Sequence, residues 1–375
     1  MKYRNLIERA TLSLRRRTER AARDIALSFQ HKAQAAYRQI PGIADEHVLY
    51  AVYDLNEFPA SFDFLWFLAA AEVERQRRRL SGVHVIVSLF DRPYVHPKPV
   101  GHPDHVSETD MLWRVNTMLV PCCSLLRSCI SYSLSQHAIA TARMLAPAKH
   151  VWPNSGSAWN RQTTLIDVYK TAVSGLAEFG INGTFHAPPQ AVRFIREWKE
   201  NFAADRQLVT ITLREYHGSP ARNSRISDWL KFADGLDPTR FKVVFIPDTF
   251  NALTMPQERL RGYEILKTAA HSVPLRLALY EESYLNLSVS SGPFSLAILG
   301  EKCRYILFKL TVDGLRGSSS IYLEDLGFPF NTTPRFAADH QAWIWQDDTA
   351  DAIRQAFDHM RDRIDRAPNS QERAL

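Results

Sequence analysis

The sequence predicts an α/β protein built as two doubly wound domains, on three observations. Apolar, β-rich runs recur along the chain, they alternate with helix-like segments, and the alternation is interrupted most clearly by the Gly/Pro cluster at 180–189 (GINGTFHAPP). Continuous apolar strands are covered on both faces, which favours parallel sheets flanked by helices. At 375 residues and 45% hydrophobic content, the chain has material for two cores.

In the first half, residues 5–38 lack Gly and Pro and read as helix. An apolar strand follows at 47–54 (HVLYAVYD), then a helix over 61–79 with Ser61 as N-cap, then a second strand at 83–90 (VHVIVSLF). Residues 91–108 form a Pro- and His-rich loop. Helical and mixed segments are expected over 109–145, a short strand at 149–153 and a helix over 162–179.

Beyond the breaker cluster, a helix spans 190–202 and a new alternation begins. Strand 208–213, helix 226–236, strand 241–247 and helix 255–270 come first. Strands at 275–279 and 285–289, a helix over 293–299 and a strand at 305–310 follow. A last helix runs from 348 to about 364. This divides the chain into a basic helix (1–40), an N-terminal domain (41–185), a C-terminal domain (186–345) and a terminal helix with its tail (346–375).

Charge is concentrated at the start. Residues 1–40 hold ten Lys/Arg against three Asp/Glu, an excess larger than the +6 of the whole chain. The body is therefore close to neutral, which argues against nucleic acid as a partner, since such proteins carry their basic surface on the folded domain. The segment reads either as a solvated helix capping the first domain or as a basic helix resting on an anionic membrane surface. Arginines interrupt every early apolar run, so no secretory leader is expected. Cys122, Cys123, Cys129 and Cys303 form no metal-binding spacing. A cytoplasmic setting follows, peripheral on the inner face of the membrane if the basic helix binds lipid.

Several constellations carry chemistry. In 286–310 (NLSVSSGPFSLAILGEKCRYILFKL) a strand ends in Ser290-Ser291-Gly292, and Pro293 opens a helix. Pro fits a first helical turn because its missing N–H has no partner there. Free N–H groups and the hydroxyls of Ser290, Ser291 and Ser295 then face the edge where open α/β sheets bind phosphates. An ordinary tight turn is the alternative.

Residues 286–310 also carry a family likeness. The stretch SVSSGPFSLAILGEKCRYILF resembles the strand–Ser/Thr–Gly–Pro–helix–strand element of heptosyltransferase-type GT-B glycosyltransferases. The clear match covers about 25 residues, and the rest of the C-terminal half agrees through element order. The usual His of that helix is replaced by Phe294-Ser295-Leu296. The resemblance implies two Rossmann-like domains facing a cleft, with this element beside the diphosphate of a nucleotide-sugar donor.

In 209–224 (VTITLREYHGSPARNS) a strand delivers Arg214 to its end, and a Gly/Pro loop brings Arg222 and Asn223. Arg clamps phosphate with paired hydrogen bonds; the layout is similar to the strand-end Arg of fucosyltransferase-like GT-B enzymes. Asp248 ends the next strand and either binds a ribose or base edge or caps the following turn. Glu281 and Glu282, after the run at 275–279, are candidates for sugar or ribose hydroxyls.

In the N-terminal half, Asp54 and Glu57 follow the first strand, and His96, His102 and His105 share one loop; these are candidates for the base that takes an acceptor proton. Asp54 is equally a helix-entry cap. The His spacing matches no standard zinc pattern. Neither metal nor cofactor is expected. No Walker A motif and no G-x-G-x-x-G after the first strand appears, which argues against kinase and dehydrogenase readings. The expected activity is transfer of a sugar from a nucleotide-sugar donor to a glycan, lipid-linked or protein acceptor. A nucleotide-sugar epimerase, a pyruvyl transferase and a non-catalytic scaffold of the same shape are the alternatives.

Overall fold

The computed structural model describes residues 46–89, 108–136, 138–153 and 163–366. The basic segment 1–40 and the loop histidines His96, His102 and His105 lie outside the described residues. The chain separates into two compact units, one comprising Met1–Phe58, Glu74–Val95 and Ser128–Gln162, the other Pro59–Val73, His96–Arg127 and Thr163–Leu375.

The first unit is built on a four-stranded parallel sheet of β1 (Val48–Asp54), β2 (Gly82–Ser88), β3 (Cys129–Ser135) and β4 (His150–Trp152), in the order β3-β2-β1-β4. Strands one and two fall where the apolar runs predict them. Strand β3 lies inside a stretch expected to be helical or mixed; its residues Ile130, Tyr132 and Leu134 alternate on one face and are exposed. Ile86, Leu145 and Ala148 form a small core beneath Tyr50, Val52 and Val151, with α4 below supplying Leu145.

Helix α1 (Asp63–Arg77) begins in the second unit and ends in the first. The Ser61 hydroxyl accepts from the Asp63 N–H at 3.3 Å, the cap its sequence suggests. Short helices α2 (Glu108–Arg114) and α3 (Val120–Cys123) flank a π-helical turn, Val115–Leu119, and α4 (Ala138–Leu145) belongs to the first unit.

The second unit holds α5 (Leu165–Phe179), α6 (Pro189–Ala203), β5 (Gln207–Thr212), α7 (Ile226–Asp234), β6 (Phe241–Ile246), β7 (Glu264–Ile265), α8 (Lys267–His271), α9 (Val273–Glu282), β8 (Leu285–Val289), α10 (Ser295–Ile298), β9 (Tyr305–Phe308), α11 (Ser320–Asp325), β10 (Gln341–Ile344) and α12 (Ala350–Arg366). Helix α5 is fixed at both ends. Thr164 and Asp167 form a reciprocal capping box, and Gly180 closes the helix at φ 64°. The sheet is parallel throughout, in the order β10-β9-β8-β5-β6-β7. Counted from β5, this is the doubly wound order in which the chain winds to one side and then crosses to the other. Trp229, Phe232, Phe245, Phe308 and Phe357 are fully or almost fully buried in its core.

Two expected elements are corrected. The run at 275–279 is helix, the middle of α9, and not strand. Ser272 caps it by accepting from the Leu275 N–H at 3.4 Å, and Pro274 sits in its first turn. The helix expected over 255–270 is broken because Arg261 and Gly262 take left-handed backbone, φ 53° and 78°. A 3-10 turn (Gln257–Leu260), β7 and α8 replace it. Strand β10 was not anticipated.

Candidate functional site

In a doubly wound sheet the ligand crevice lies at the carboxyl edge, where the strand order reverses. Here that point is the gap between β5 and β8. Arg214 follows β5, the turn Ser290–Pro293 follows β8, and Asp248 follows β6.

The loop after β5 is tied down from within. The Arg214 N–H donates to Ser224 Oγ at 2.9 Å, and the Ser224 N–H donates back to the Arg214 carbonyl at 2.9 Å. Asn223 Oδ1 accepts from the Tyr216 N–H at 2.9 Å, while its Nδ2 donates to the Tyr216 carbonyl at 3.2 Å. Asn223 therefore spends its amide on holding the loop. Lys309, at the end of β9 with φ 53°, donates from Nζ to the Asn223 carbonyl at 3.1 Å and pairs with Asp347 at 3.1 Å and buried Asp348 at 3.4 Å. Asp248 joins two loops, accepting from the Glu215 N–H at 3.0 Å and the Phe250 N–H at 3.2 Å.

This frame holds guanidiniums with little compensation. Burial, and then the neighbouring charge of Arg222, bring Arg214 down to about 10, against the pull of Asp248. Its Nε is buried without a hydrogen-bond partner. Arg222 donates from Nη2 to the Ser290 carbonyl at 3.3 Å; burial lowers its pKa, opposed first by the charge of Asp63. Ser291 Oγ is also buried without a partner. Buried polar groups in folded proteins are almost always paired, so orphans gathered at one sheet edge mark the place of a ligand or water.

The Ser-Gly-Pro turn differs from expectation in one respect. It forms a 3-10 turn, Gly292–Phe294, followed by the four-residue α10. So short a helix sums little dipole, so charge neutralisation falls to the arginines. A Cβ on Gly292 would stand 3.3 Å from Phe62 Cβ, which keeps the turn close to the start of α1. Ser295 Oγ is occupied, accepting from Trp66 Nε1 at 3.3 Å.

Glu282 is separated from this edge. Because 275–279 is helix, the chain has travelled back to the amino edge of the sheet by Glu282, where its carboxylate pairs with Arg196 at 2.8 Å. Glu281, beside it, accepts from the Ala187 N–H at 2.8 Å. In the first unit Asp54 Oδ1 accepts from the Asn56 N–H at 2.9 Å and Nδ2 at 2.8 Å, and the Asp54 carbonyl accepts from the Glu57 N–H. This is the side-chain-stabilised turn its position after a strand permits.

Two groups at the carboxyl edge had no sequence signal strong enough to single them out. Asp63, held by Ser61 Oγ at 2.5 Å and the Tyr169 hydroxyl at 2.7 Å, supplies negative charge near Arg222. Arg276 is fully buried, with Nε donating to the Ala269 carbonyl at 2.6 Å and both Nη atoms unpartnered; burial lowers its pKa. Arg276 was hidden in the run misread as strand. Among the described residues no cluster of three or more His, Cys, Asp or Glu suits a metal ion, and no helix is long and apolar enough to cross a membrane.

No family model matches the chain. No curated protein matches it either. Solved structures similar to it include a glycosyl transferase family 9 protein from Veillonella parvula, at 12% identity over 84% of this chain and 89% of that one, with a TM-score of 0.43. E. coli ADP-heptose LPS heptosyltransferase II gives 9% identity over 85% and 99%, with a TM-score of 0.45. A fucosyltransferase from Bradyrhizobium gives 11% over 68% and 94%, with a TM-score of 0.30. At such identities and scores the likeness is silent on activity, which rests on the residues themselves.

Proposed function

We propose that the protein is a GT-B-type glycosyltransferase that takes a sugar from a nucleotide-sugar donor. The observation that carries this reading is the pair of half-buried arginines, Arg214 and Arg222, beside the Ser291 turn at the strand-order reversal, with orphaned donors buried at Arg214 Nε and Ser291 Oγ. A partly buried positive site with unmet donors suits a diphosphate. The resemblance of 288–308 to the heptosyltransferase element selects sugar transfer among the diphosphate-binding chemistries.

In this reading residues 186–345 bind the donor and 41–185 the acceptor, a glycan, a lipid-linked glycan or a protein. The acceptor oxygen attacks the anomeric carbon, the bond from that carbon to the diphosphate breaks, and the diphosphate leaves with its charge. Arg214 and Arg222 stabilise that developing charge, the usual dominant electrostatic task, and a metal ion is not required for it. Asp54, Glu57 or His96 takes the acceptor proton. The enzyme acts in the cytoplasm in polysaccharide assembly, held at the inner membrane face by residues 1–40.

Incubation with a panel of nucleotide sugars and candidate acceptors tests this. The expected result is acceptor-dependent release of one nucleoside diphosphate. Interconversion of the sugar without release indicates an epimerase, and absence of any nucleotide binding refutes the reading.

A further inference from the structure

Next to the arginine site, on the β6 side, lies a ladder of rings. Arg214 Cζ stands 5.6 Å from the Tyr216 ring centroid. Tyr216 and His217 centroids are 4.8 Å apart, and His217 and Phe250 centroids 5.0 Å. The ladder ends in Phe250, 70% exposed, with Leu253 exposed three residues on. The turn that presents Phe250 is anchored, because its N–H donates to Asp248 Oδ1 and the Asn251 N–H donates to the Asp248 carbonyl at 3.2 Å. A large aromatic ring is thus held out into solvent by a turn whose backbone is fixed by hydrogen bonds to Asp248.

We infer that the Phe250 end of this ladder is a stacking shelf for the base of a nucleotide, with purines preferred. The inference rests on the diphosphate reading of the Arg214 site and extends it to the nucleoside. Three features select this occupant. Strand β6 adjoins β5 on the side away from β8, so a ligand with its phosphates at the β5/β8 gap reaches the end of β6 with its nucleoside. Asp248 follows β6, and each carboxylate oxygen accepts one backbone N–H, which leaves acceptor capacity for ribose hydroxyls. The ring beyond Asp248 is aromatic and exposed, and every base presents a π-face to such a ring. Purines overlap more of it than pyrimidines.

The test measures affinity of the full chain for GDP, ADP, UDP, CDP and inorganic pyrophosphate, in wild type, Phe250→Ala and Phe250→Trp. Phe250 is exposed, so neither change disturbs a core. Phe250→Ala is expected to weaken GDP and ADP about 5- to 150-fold, the range for loss of one base stack, and to leave pyrophosphate unchanged. Phe250→Trp is expected to keep the affinity and to report nucleotide by quenching of the new indole. Normal nucleotide affinity in Phe250→Ala, with pyrophosphate still bound, overturns the shelf and leaves the diphosphate site standing. Equal weakening of pyrophosphate also overturns it, because Phe250 then acts by supporting the loop. A raised KM for acceptor with unchanged nucleotide affinity assigns the ring to the acceptor and overturns it as well. Failure of every anion to bind removes both readings together.

Discussion

In the ligand-free protein Arg214 stays charged at a cost, and Arg214→Met measures it. Burial and the charge of Arg222 bring this guanidinium from its ordinary range to about 10. At about 1.4 kcal/mol per tenfold change in proton affinity, the charged form costs the fold roughly 3 kcal/mol. The folded group binds its proton less tightly than the unfolded one. The cost is therefore constant below about pH 10 and is relieved only as pH rises beyond it, so neutral pH reads it in full. Met keeps much of the stem volume and removes the charge. It also forfeits the contact with the Tyr216 ring, about 0.5–1 kcal/mol. The expected net gain in unfolding free energy is about 2 kcal/mol by urea titration without ligand. Calorimetry with a nucleoside diphosphate should show an affinity loss of about 10- to 150-fold, the range for a hydrogen bond to a charged group. A less stable Arg214→Met protein with unchanged diphosphate affinity refutes the reasoning.

Lys309→Met should act in the opposite sense, costing about 3–5 kcal/mol in urea because buried Asp348 loses its cation. Burial already raises the Asp348 pKa, so lowering the pH should protonate it and recover part of the loss; a deficit that grows on acidification contradicts this account. Asp54→Asn, Glu57→Gln and His96→Ala are expected to include one variant with turnover down about 10²- to 10⁴-fold and donor affinity intact; three near-normal rates place the base elsewhere. A chain begun at Pro41 should lose most co-sedimentation with anionic liposomes that full-length protein shows at low salt, whereas retained binding removes residues 1–40 from that role.

The legible parts of the fold are those where one local pattern dominates. β1, β2, β5, β6, β8 and β9 are compact apolar runs, and the breaker cluster beginning at Gly180 marks the end of α5. Helix α9 reads as strand because Leu275, Leu277 and Leu279 alternate, and a helix buried on most sides shows no clear period of its own. That single misreading displaced Glu282, since a helix there carries the chain to the opposite sheet edge from the one a strand would reach. At the site, Arg214, Arg222, Asp248 and Ser291 were legible as strand-end polar residues, and the structure gathers them at one edge. Asn223 and Ser295 share that edge but spend their side chains on the scaffold. Asp63 reaches Arg222 from 159 positions earlier in numbering, a separation that no local pattern encodes.

The central position of β5 also shapes how the protein is made. Its pairing with β6 is available early, yet its other edge is satisfied only by Leu285–Val289. During synthesis β5 therefore remains an open edge while the intervening chain emerges, and such edges invite pairing with other molecules. Arg222 and the Ser290 carbonyl meet only when that pairing closes, so a nascent chain stalled before β8 has the arginine loop without its companion turn. Acquisition of anion binding during translation would mark the moment β5 gains its second neighbour.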